Sequence, residues 1–453
     1  MVWTVKITFY GGVGEIGGNK ILLEDRGARV FFDFGQPFGF GTDFFTGWLM
    51  PRAINGLGDY FEFDLLPKLK GLYSREQLVS TSLAYENPLF DAVFLSHAHF
   101  DHVQHIEFLD PEIPVYLGAG TRLFLECMEE TSGSCKYGDH SYQTFRTGDE
   151  IRVGDMTVEP VHVDHSIPAA YGFLINTSGG TLAYTGDLRV HGPRKDMTEE
   201  FVARAEQCDP VALICEGTRM VEVETRKNYS EHEVESLSGE IASSSDKAVF
   251  ATHYSRDMDR FRSFYNVAKK SGRKIVISPK TAYLLSKLVG DKSLSFPDPV
   301  KDQDVLVYYK RKKSGKFDDK DYFVWERGFM NKMVGHDYVR KNQHELVIDV
   351  DFNQFAELVD VKPERGGHFI HSMSEPFSEE DLEDQVMHNW LDHFGLRFHQ
   401  LHASGHVNKS QLKAMIDQIN PKNIFPVHTE NPQMFKKINK KVKTMQAGKA
   451  YTL

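Results

Sequence analysis

The sequence predicts an α/β protein in which an outer domain is interrupted by a second α/β domain. Three observations carry this reading. Short apolar runs recur through the first half and several end in a histidine or a carboxylate; a fresh alternation of strand and helix patterns begins after residue 222; and the closing segment returns to strands with histidines in their loops. The expected division is 1–222 and 396–453 for the outer domain, with 223–395 as the insertion. A chain of 453 residues, 41% of them hydrophobic, can bury more than one core.

Taken in order, Val5-Lys6-Ile7-Thr8-Phe9-Tyr10 alternates as a half-buried strand does. It runs into Gly11-Gly12-Val13-Gly14-Glu15-Ile16-Gly17-Gly18-Asn19, a tight glycine-rich turn. A dinucleotide-binding turn would open a helix, but Lys20-Ile21-Leu22-Leu23-Glu24 reads as another strand. The glycines therefore serve to bring the backbone close to a site. Val30-Phe31-Phe32-Asp33-Phe34-Gly35 is an apolar strand with one carboxylate near its end, placed to orient a metal ligand. Residues 36–90 read as an elaborated loop rich in Gly, Phe and Tyr, with a helix near Ser74 to Ser80.

The densest chemistry comes after the run Asp91-Ala92-Val93-Phe94-Leu95, in Ser96-His97-Ala98-His99-Phe100-Asp101-His102. His97 and His99, two apart, project on one side just past a strand end, while Asp101 and His102 turn into the next segment of the chain. Imidazole and carboxylate suit zinc, manganese or iron. A lone histidine is usually an ordinary polar residue, but this set exceeds what one tetrahedral ion with an open position needs, which suggests two metals. Pro114 to Gly118 then reads as a strand and Thr121 to Glu130 as a helix. Further strands end at His165 (Met156 to Ser166), at Asp187 (Thr181 to Asp187) and at Glu216 (Val211 to Thr218). Ligand-type side chains repeatedly placed where strand gives way to loop argue for one shared centre. His162 and His191 find no second partner in the sequence and read as ordinary histidines.

In the insertion, Ala248 to Thr252 and Arg273 to Ser278 read as strands around a helix from Asp257 to Ser271, a parallel strand–helix unit. The closing segment carries Phe398-His399-Gln400-Leu401-His402-Ala403-Ser404-Gly405-His406, a helix from Ser410 to Ile419, and a strand running into Val427-His428-Thr429-Glu430.

Lys and Arg number 53 against 64 Asp and Glu, a net charge of −11, so the overall charge does not point to a nucleic-acid binder. Phosphate binding needs only a local stripe. Lys310-Arg311-Lys312-Lys313 with Lys316, or Lys436, Lys437, Lys440, Lys441 and Lys443, could supply one or could be solvated faces. The opening Met1 to Lys6 shows no leader pattern, and no stretch nears the ~20 apolar residues of a membrane span. The expected address is the cytoplasm. Cys127, Cys135, Cys208 and Cys215 form no C-x-x-C pair and read as reduced bystanders.

With its H-x-H-x-D-H run, its interrupted α/β domain and its closing Ser404-Gly405-His406 and Val427-His428-Thr429-Glu430, the chain resembles the β-CASP nucleases of the metallo-β-lactamase superfamily. Among them it is most similar to the RNase J group, in a shorter, archaeal-like form without the extra C-terminal domain. The resemblance implies an αββα sandwich with an inserted β-CASP α/β domain. It implies one metal held by His97, His99 and His165, a second by Asp101, His102 and His428, and Asp187 bridging both. Asp101 and Asp187 would thus be catalytic as well as metal-binding. The two divalent ions would be Zn2+, with Mn2+ the alternative. It further implies His406 as general acid oriented by Glu216, Asp33 as a support, and His402, Ser404 and Gly405 as contacts to the substrate phosphate. The implied activity is a metal-dependent ribonuclease acting on single-stranded RNA through a two-metal-activated hydroxide, in 5′-to-3′ exonuclease mode with endonuclease cleavage as a second mode, in RNA processing and decay. A homodimer is compatible with it, and residues 36–90 could be a lid, a dimer contact or an insertion. Three departures stand out: Gln104 and His105 replace glycines after the heptapeptide, and Thr429 replaces the glycine after the last histidine. The alternatives are a DNA nuclease of the superfamily, against which His428 counts; a small-molecule hydrolase, for which the insertion has no evident use; and an inactive RNA-processing scaffold, against which the full ligand set counts.

Overall fold

A computed structural model describes residues 4–133, 135–375 and 381–453. The strands, in chain order, are β1 (Lys6–Gly11), β2 (Lys20–Asp25), β3 (Ala28–Phe34), β4 (Ala92–Leu95), β5 (Val115–Gly118), β6 (Tyr142–Phe145), β7 (Ile151–Val153), β8 (Met156–His162), β9 (Tyr171–Thr177), β10 (Gly180–Tyr184), β11 (Ala212–Glu216), β12 (Val249–Thr252), β13 (Lys274–Ile277), β14 (Val305–Tyr308), β15 (Met333–Val334), β16 (Leu346–Asp349), β17 (His368–His371), β18 (Arg397–Gln400), β19 (Ile424–Val427) and β20 (Ala450–Thr452). They form three sheets, ordered β20-β1-β2-β3-β4-β5-β6, β19-β11-β10-β9-β8-β7 and β15-β14-β13-β16-β12-β17-β18.

The first two sheets pack face to face because their strands alternate. In β3, Val30 and Phe32 join one apolar core with Phe94, Phe173, Ile175, Tyr184, Ile214 and Phe425, while Phe31 and Phe34 join another. Phe32 stacks on Phe94 at 5.5 Å and meets Phe173 at 5.5 Å, so aromatic rings fill the space between the sheets. The outer face of the second sheet, Leu174, Ala183, Leu213 and Cys215, is covered by Phe201, Val202 and Ala205 of helix Lys195–Gln207 and by Leu412 and Ile416 of helix Lys409–Ile419. This is the αββα sandwich expected.

The third sheet is parallel throughout. A parallel sheet is buried on both faces. Phe261, Phe264 and Val267 of helix Met258–Lys270 cover Val249, Ala251, Ile275 and Val347, while Met387 and Leu391 of helix Leu382–Phe394 cover Phe250, Val276, Ile348 and Phe369. Asp257 caps the first of these helices by accepting from the backbone of Arg260.

Two expectations need correction. β18 pairs with β17, so Arg397–Gln400 extends the third sheet, and a boundary at 395/396 falls ahead of it. The chain returns to the outer domain through residues 401–407. Ser74 to Ser80 forms turns rather than a helix: Gln77 and Leu78 bond only three residues back, while Ser74 donates to Phe108 O and Leu57 donates to Gln77 O. Bonds to the third residue back close turns, and the two tertiary bonds anchor those turns to the neighbouring chain. The rest of the 36–90 segment holds helix Gly58–Glu62, buries Phe61, Leu66, Leu72 and Tyr73, and exposes Phe38, Trp48, Leu49, Met50 and Ile54. Among the described residues no helix is long and apolar enough to cross a membrane. In the two basic clusters, Arg311 pairs with Asp360, Lys312 with Glu326 and Lys437 with Glu222, so part of that charge is answered by the protein's own acids.

Candidate metal centre

The strand ends of the two facing sheets deliver the chemistry to one place. His97, His99 and His165 bring ring nitrogens within 4.8 Å of one another; Asp101, His102, Asp187 and His428 do the same with ring nitrogens and carboxylate oxygens, as do His165, Asp187 and His406. The glycine-rich turn makes room for this. Gly17 has φ +77, and a Cβ there would sit 2.6 Å from Asp101 Cβ. Gly18 N donates to Asp101 O at 2.9 Å and His428 N donates to Gly12 O at 2.8 Å, so the turn holds the two ligand loops.

Each of four histidines has Nδ1 tied up by the protein, which turns Nε2 toward the centre. Asp33 accepts from Ser96 Oγ at 2.8 Å and Tyr184 OH at 2.6 Å, and lies 2.8 Å from His102 Nδ1, which must therefore carry its proton. Ser96 Oγ, its hydrogen given to Asp33, accepts from His97 Nδ1 at 3.0 Å. His165 Nδ1 donates to Gly405 O at 2.6 Å. Thr218 Oγ1 donates to Glu216 Oε2 at 2.8 Å and so accepts from His428 Nδ1 at 2.8 Å. The freed nitrogens converge: His97 Nε2 and His165 Nε2 lie 3.0 and 3.2 Å from His99 Nδ1, and His428 Nε2 lies 2.9 Å from Asp101 Oδ2. In the first group, lone pairs of neutral rings facing one another at such range call for a cation; in the second, the proton on His428 Nε2 that faces Asp101 stands where a cation would.

The charge pattern says the same. Burial lowers His97 and His165 far below the ordinary histidine value and takes His99 down to about 3, leaving neutral donors. Burial also opposes charge on His428, yet Asp187 and then Asp101 raise it to about 9. Burial works against the Asp187 carboxylate too, but His428 and His102 hold it well below the usual range. Asp187 Oδ2 is 3.1 Å from His102 Nε2 and 3.5 Å from His428 Nε2, while its buried Oδ1 has no hydrogen-bond partner among the described residues. A buried carboxylate oxygen without a donor, beside imidazole nitrogens, fits divalent cations of the zinc type.

His406 stands apart. Its Nδ1 lies 3.0 Å from both oxygens of Glu216, its side chain is 20% exposed, and it is 3.9 Å from Asp187. Glu216 is fixed in turn by Leu188 N at 3.0 Å. The remaining expected residues lie beside these groups. Ser404 Oγ accepts from His406 N at 3.1 Å; Gly405 is pressed against His165; and His402 Nδ1 faces Ser372 O at 3.1 Å and Arg260 in the inserted half. His191 and His162 serve structure, the first donating to Ser404 O and the second held by Thr147. Beside His165 opens a cleft of about 920 Å3 between the halves, lined by Arg146, Arg194, Asp259, Arg262 and Phe296 among others.

Thr218, Ser96 and Tyr184 were not foreseen. Thr218 could have been, since a hydroxyl two residues beyond a strand-end acid is placed to bond it; the other two depend on pairings far apart in sequence. Asp33 has φ +56, a region Asn tolerates, so Asp33→Asn is a clean test of the orienting role. It is expected to weaken metal binding roughly 10- to 100-fold, measured by chelator competition. Unchanged affinity would make Asp33 only a buried structural acid.

The chain matches a family model described as the β-lactamase superfamily domain over residues 70–225, and one described as the Zn-dependent metallo-hydrolase RNA specificity domain over 394–443. It is 25% identical over 438 residues to a protein named ribonuclease J from Sinorhizobium meliloti, covering 93% of this chain and 68% of that one. A ribonuclease J from Helicobacter pylori is 22% identical, with 94% of this chain and 56% of that one covered. In solved structures, a protein of unknown function from Enterococcus faecalis superposes with a TM-score of 0.78 at 24% identity, over 99% of this chain and 100% of that one, a likeness of fold.

Proposed function

We propose that this chain, a member of the metallo-β-lactamase superfamily of the RNase J type, is a metal-dependent ribonuclease that hydrolyses phosphodiester bonds of single-stranded RNA. The observation that carries it is the set of four histidines whose Nδ1 atoms are tied by Asp33, Ser96, Gly405 and Thr218 so that every Nε2 faces one centre. In this reading His97, His99 and His165 would hold one ion and Asp101, His102 and His428 the second, with Asp187 serving both. Divalent ions bound there supply Lewis acidity toward phosphoryl oxygens and a water of lowered pKa. The chain's own residues supply the rest. Glu216 grips Nδ1 of His406 and leaves Nε2 to give its proton to the departing oxygen. The RNA specificity domain, residues 394–443, includes His402, Ser404 and Gly405, the expected contacts to the phosphate being cleaved.

The test is end-labelled RNA and DNA of equal sequence, incubated with the protein with and without chelator. Cleavage of RNA in preference to DNA, lost on chelation and restored by zinc or manganese, is expected, and the ladder reads polarity. Preference for DNA, or cleavage indifferent to chelator, would overturn the assignment. Elemental analysis is expected to find close to two ions per chain, chiefly zinc because nitrogen ligands dominate. Fewer than one ion in fully active protein would defeat the dinuclear centre.

A further inference from the structure

The loop after β12 reaches from the inserted half into the metal centre. Arg256 Nη1 donates at 2.7 Å to the carbonyl of Ala98, the residue between His97 and His99. That bond uses one guanidinium hydrogen. Among the described residues no carboxylate pairs with Arg256, whereas the buried Arg189 and Arg260 nearby are matched by Asp164, Asp259 and Glu231. Arg256 is half-buried, and an unmatched guanidinium in that setting suits a visiting anion. Two residues earlier, Tyr254 is 44% exposed, its ring edge-on to His402 with centroids 6.3 Å apart. The loop thus touches Ala98 at the metal-ligand run and His402 at the closing segment, with a guanidinium that meets no carboxylate of the described residues at one contact and an uncovered aromatic ring at the other.

We infer that Tyr254 and Arg256 form a grip for single-stranded RNA, in which Arg256 binds a phosphate adjacent to the cleaved one and Tyr254 stacks on a base. This rests on the ribonuclease reading. Guanidinium presents paired donors to phosphate oxygens, and an exposed ring accepts any base face. The rival is that Arg256 only ties the inserted half to the ligand loop through Ala98.

Salt dependence separates the two, because a phosphate contact releases counterions and a bond to a carbonyl does not. Binding of a short phosphorothioate RNA, chosen to slow cleavage, is measured by fluorescence anisotropy with the full metal-loaded chain across a salt series. Arg256→Met is expected to lower affinity and to flatten the slope of log affinity against log salt by about 0.7, while Arg256→Lys keeps the slope. Tyr254→Ala is expected to weaken binding roughly 5- to 150-fold at unchanged slope, with Tyr254→Phe restoring it. If Arg256→Met leaves slope and affinity as they were, whatever its melting temperature, Arg256 is only a tie; if Tyr254→Ala binds as before, the stacking contact falls. Wild-type protein that cleaves RNA normally beside unaffected variants sinks this grip alone. Wild-type protein that neither binds nor cleaves RNA sinks the ribonuclease reading and the grip with it.

Discussion

Asp187→Ala is expected to cost the protein metal and turnover together, with single-turnover cleavage falling by about 10⁴-fold or more, the order lost when one member of a catalytic set acting as a unit is removed. The reason is position. Asp187 Oδ2 lies 3.1 Å from His102 Nε2, 3.5 Å from His428 Nε2 and 3.8 Å from His97 Nε2, so one carboxylate touches both groups of nitrogens. Its removal takes from the His102 and His428 rings, stacked with centroids 5.3 Å apart, the largest of the carboxylate charges that face them, leaving Asp101 beside both. Metal content is expected to drop by at least one ion per chain. The melting temperature is expected to fall toward that of chelator-treated wild type and to lose its response to added zinc, because a ligand stabilises only the state that binds it. Full metal occupancy with activity within tenfold of wild type would remove Asp187 from the shared position.

Much of this centre is legible in the sequence because its candidate ligands sit at strand ends. His97, His99, Asp101 and His102 are neighbours in sequence, so spacing alone brings them together. His165, Asp187 and Glu216 are legible as polar residues where apolar runs stop. The locks on the histidines are not, since Gly405 O and Ser96 Oγ are generic groups whose partners are chosen by tertiary packing. Arg256 hides for the same reason: its partner is the carbonyl of Ala98, and any residue has one. The misplaced boundary at β18 has a different cause. Phe398 to His402 reads as a strand in either domain, and local pattern cannot say that its hydrogen bonds go to β17. At Ser74 to Ser80 the backbone closes turns three residues back and is anchored by Phe108 and Leu57, partners far away in sequence that local pattern does not reveal.

His406→Ala separates chemistry from metal binding. His406 has Nδ1 against both Glu216 oxygens at 3.0 Å and a partly exposed ring, which is the posture of a proton donor held by its partner. It also falls within a candidate ligand group with His165 and Asp187, so a metal role is the competing account. If it protonates the leaving oxygen, His406→Ala keeps both ions and RNA affinity while turnover falls 10²- to 10⁴-fold, roughly 3 to 5.5 kcal/mol of barrier. Glu216→Gln is expected to be milder on chemistry, since the amide oxygen can still accept from Nδ1 and hold the ring in place. It also disturbs Thr218, which donates to Glu216 Oε2 and supports His428, so a modest loss of metal affinity is expected there and not in His406→Ala. A ring that merely closed the turn after Gly405 would lower melting temperature and leave turnover per folded molecule unchanged. Metal content, melting temperature and single-turnover rate on the two variants decide. Metal lost from His406→Ala would make His406 a ligand and end its assignment as the acid.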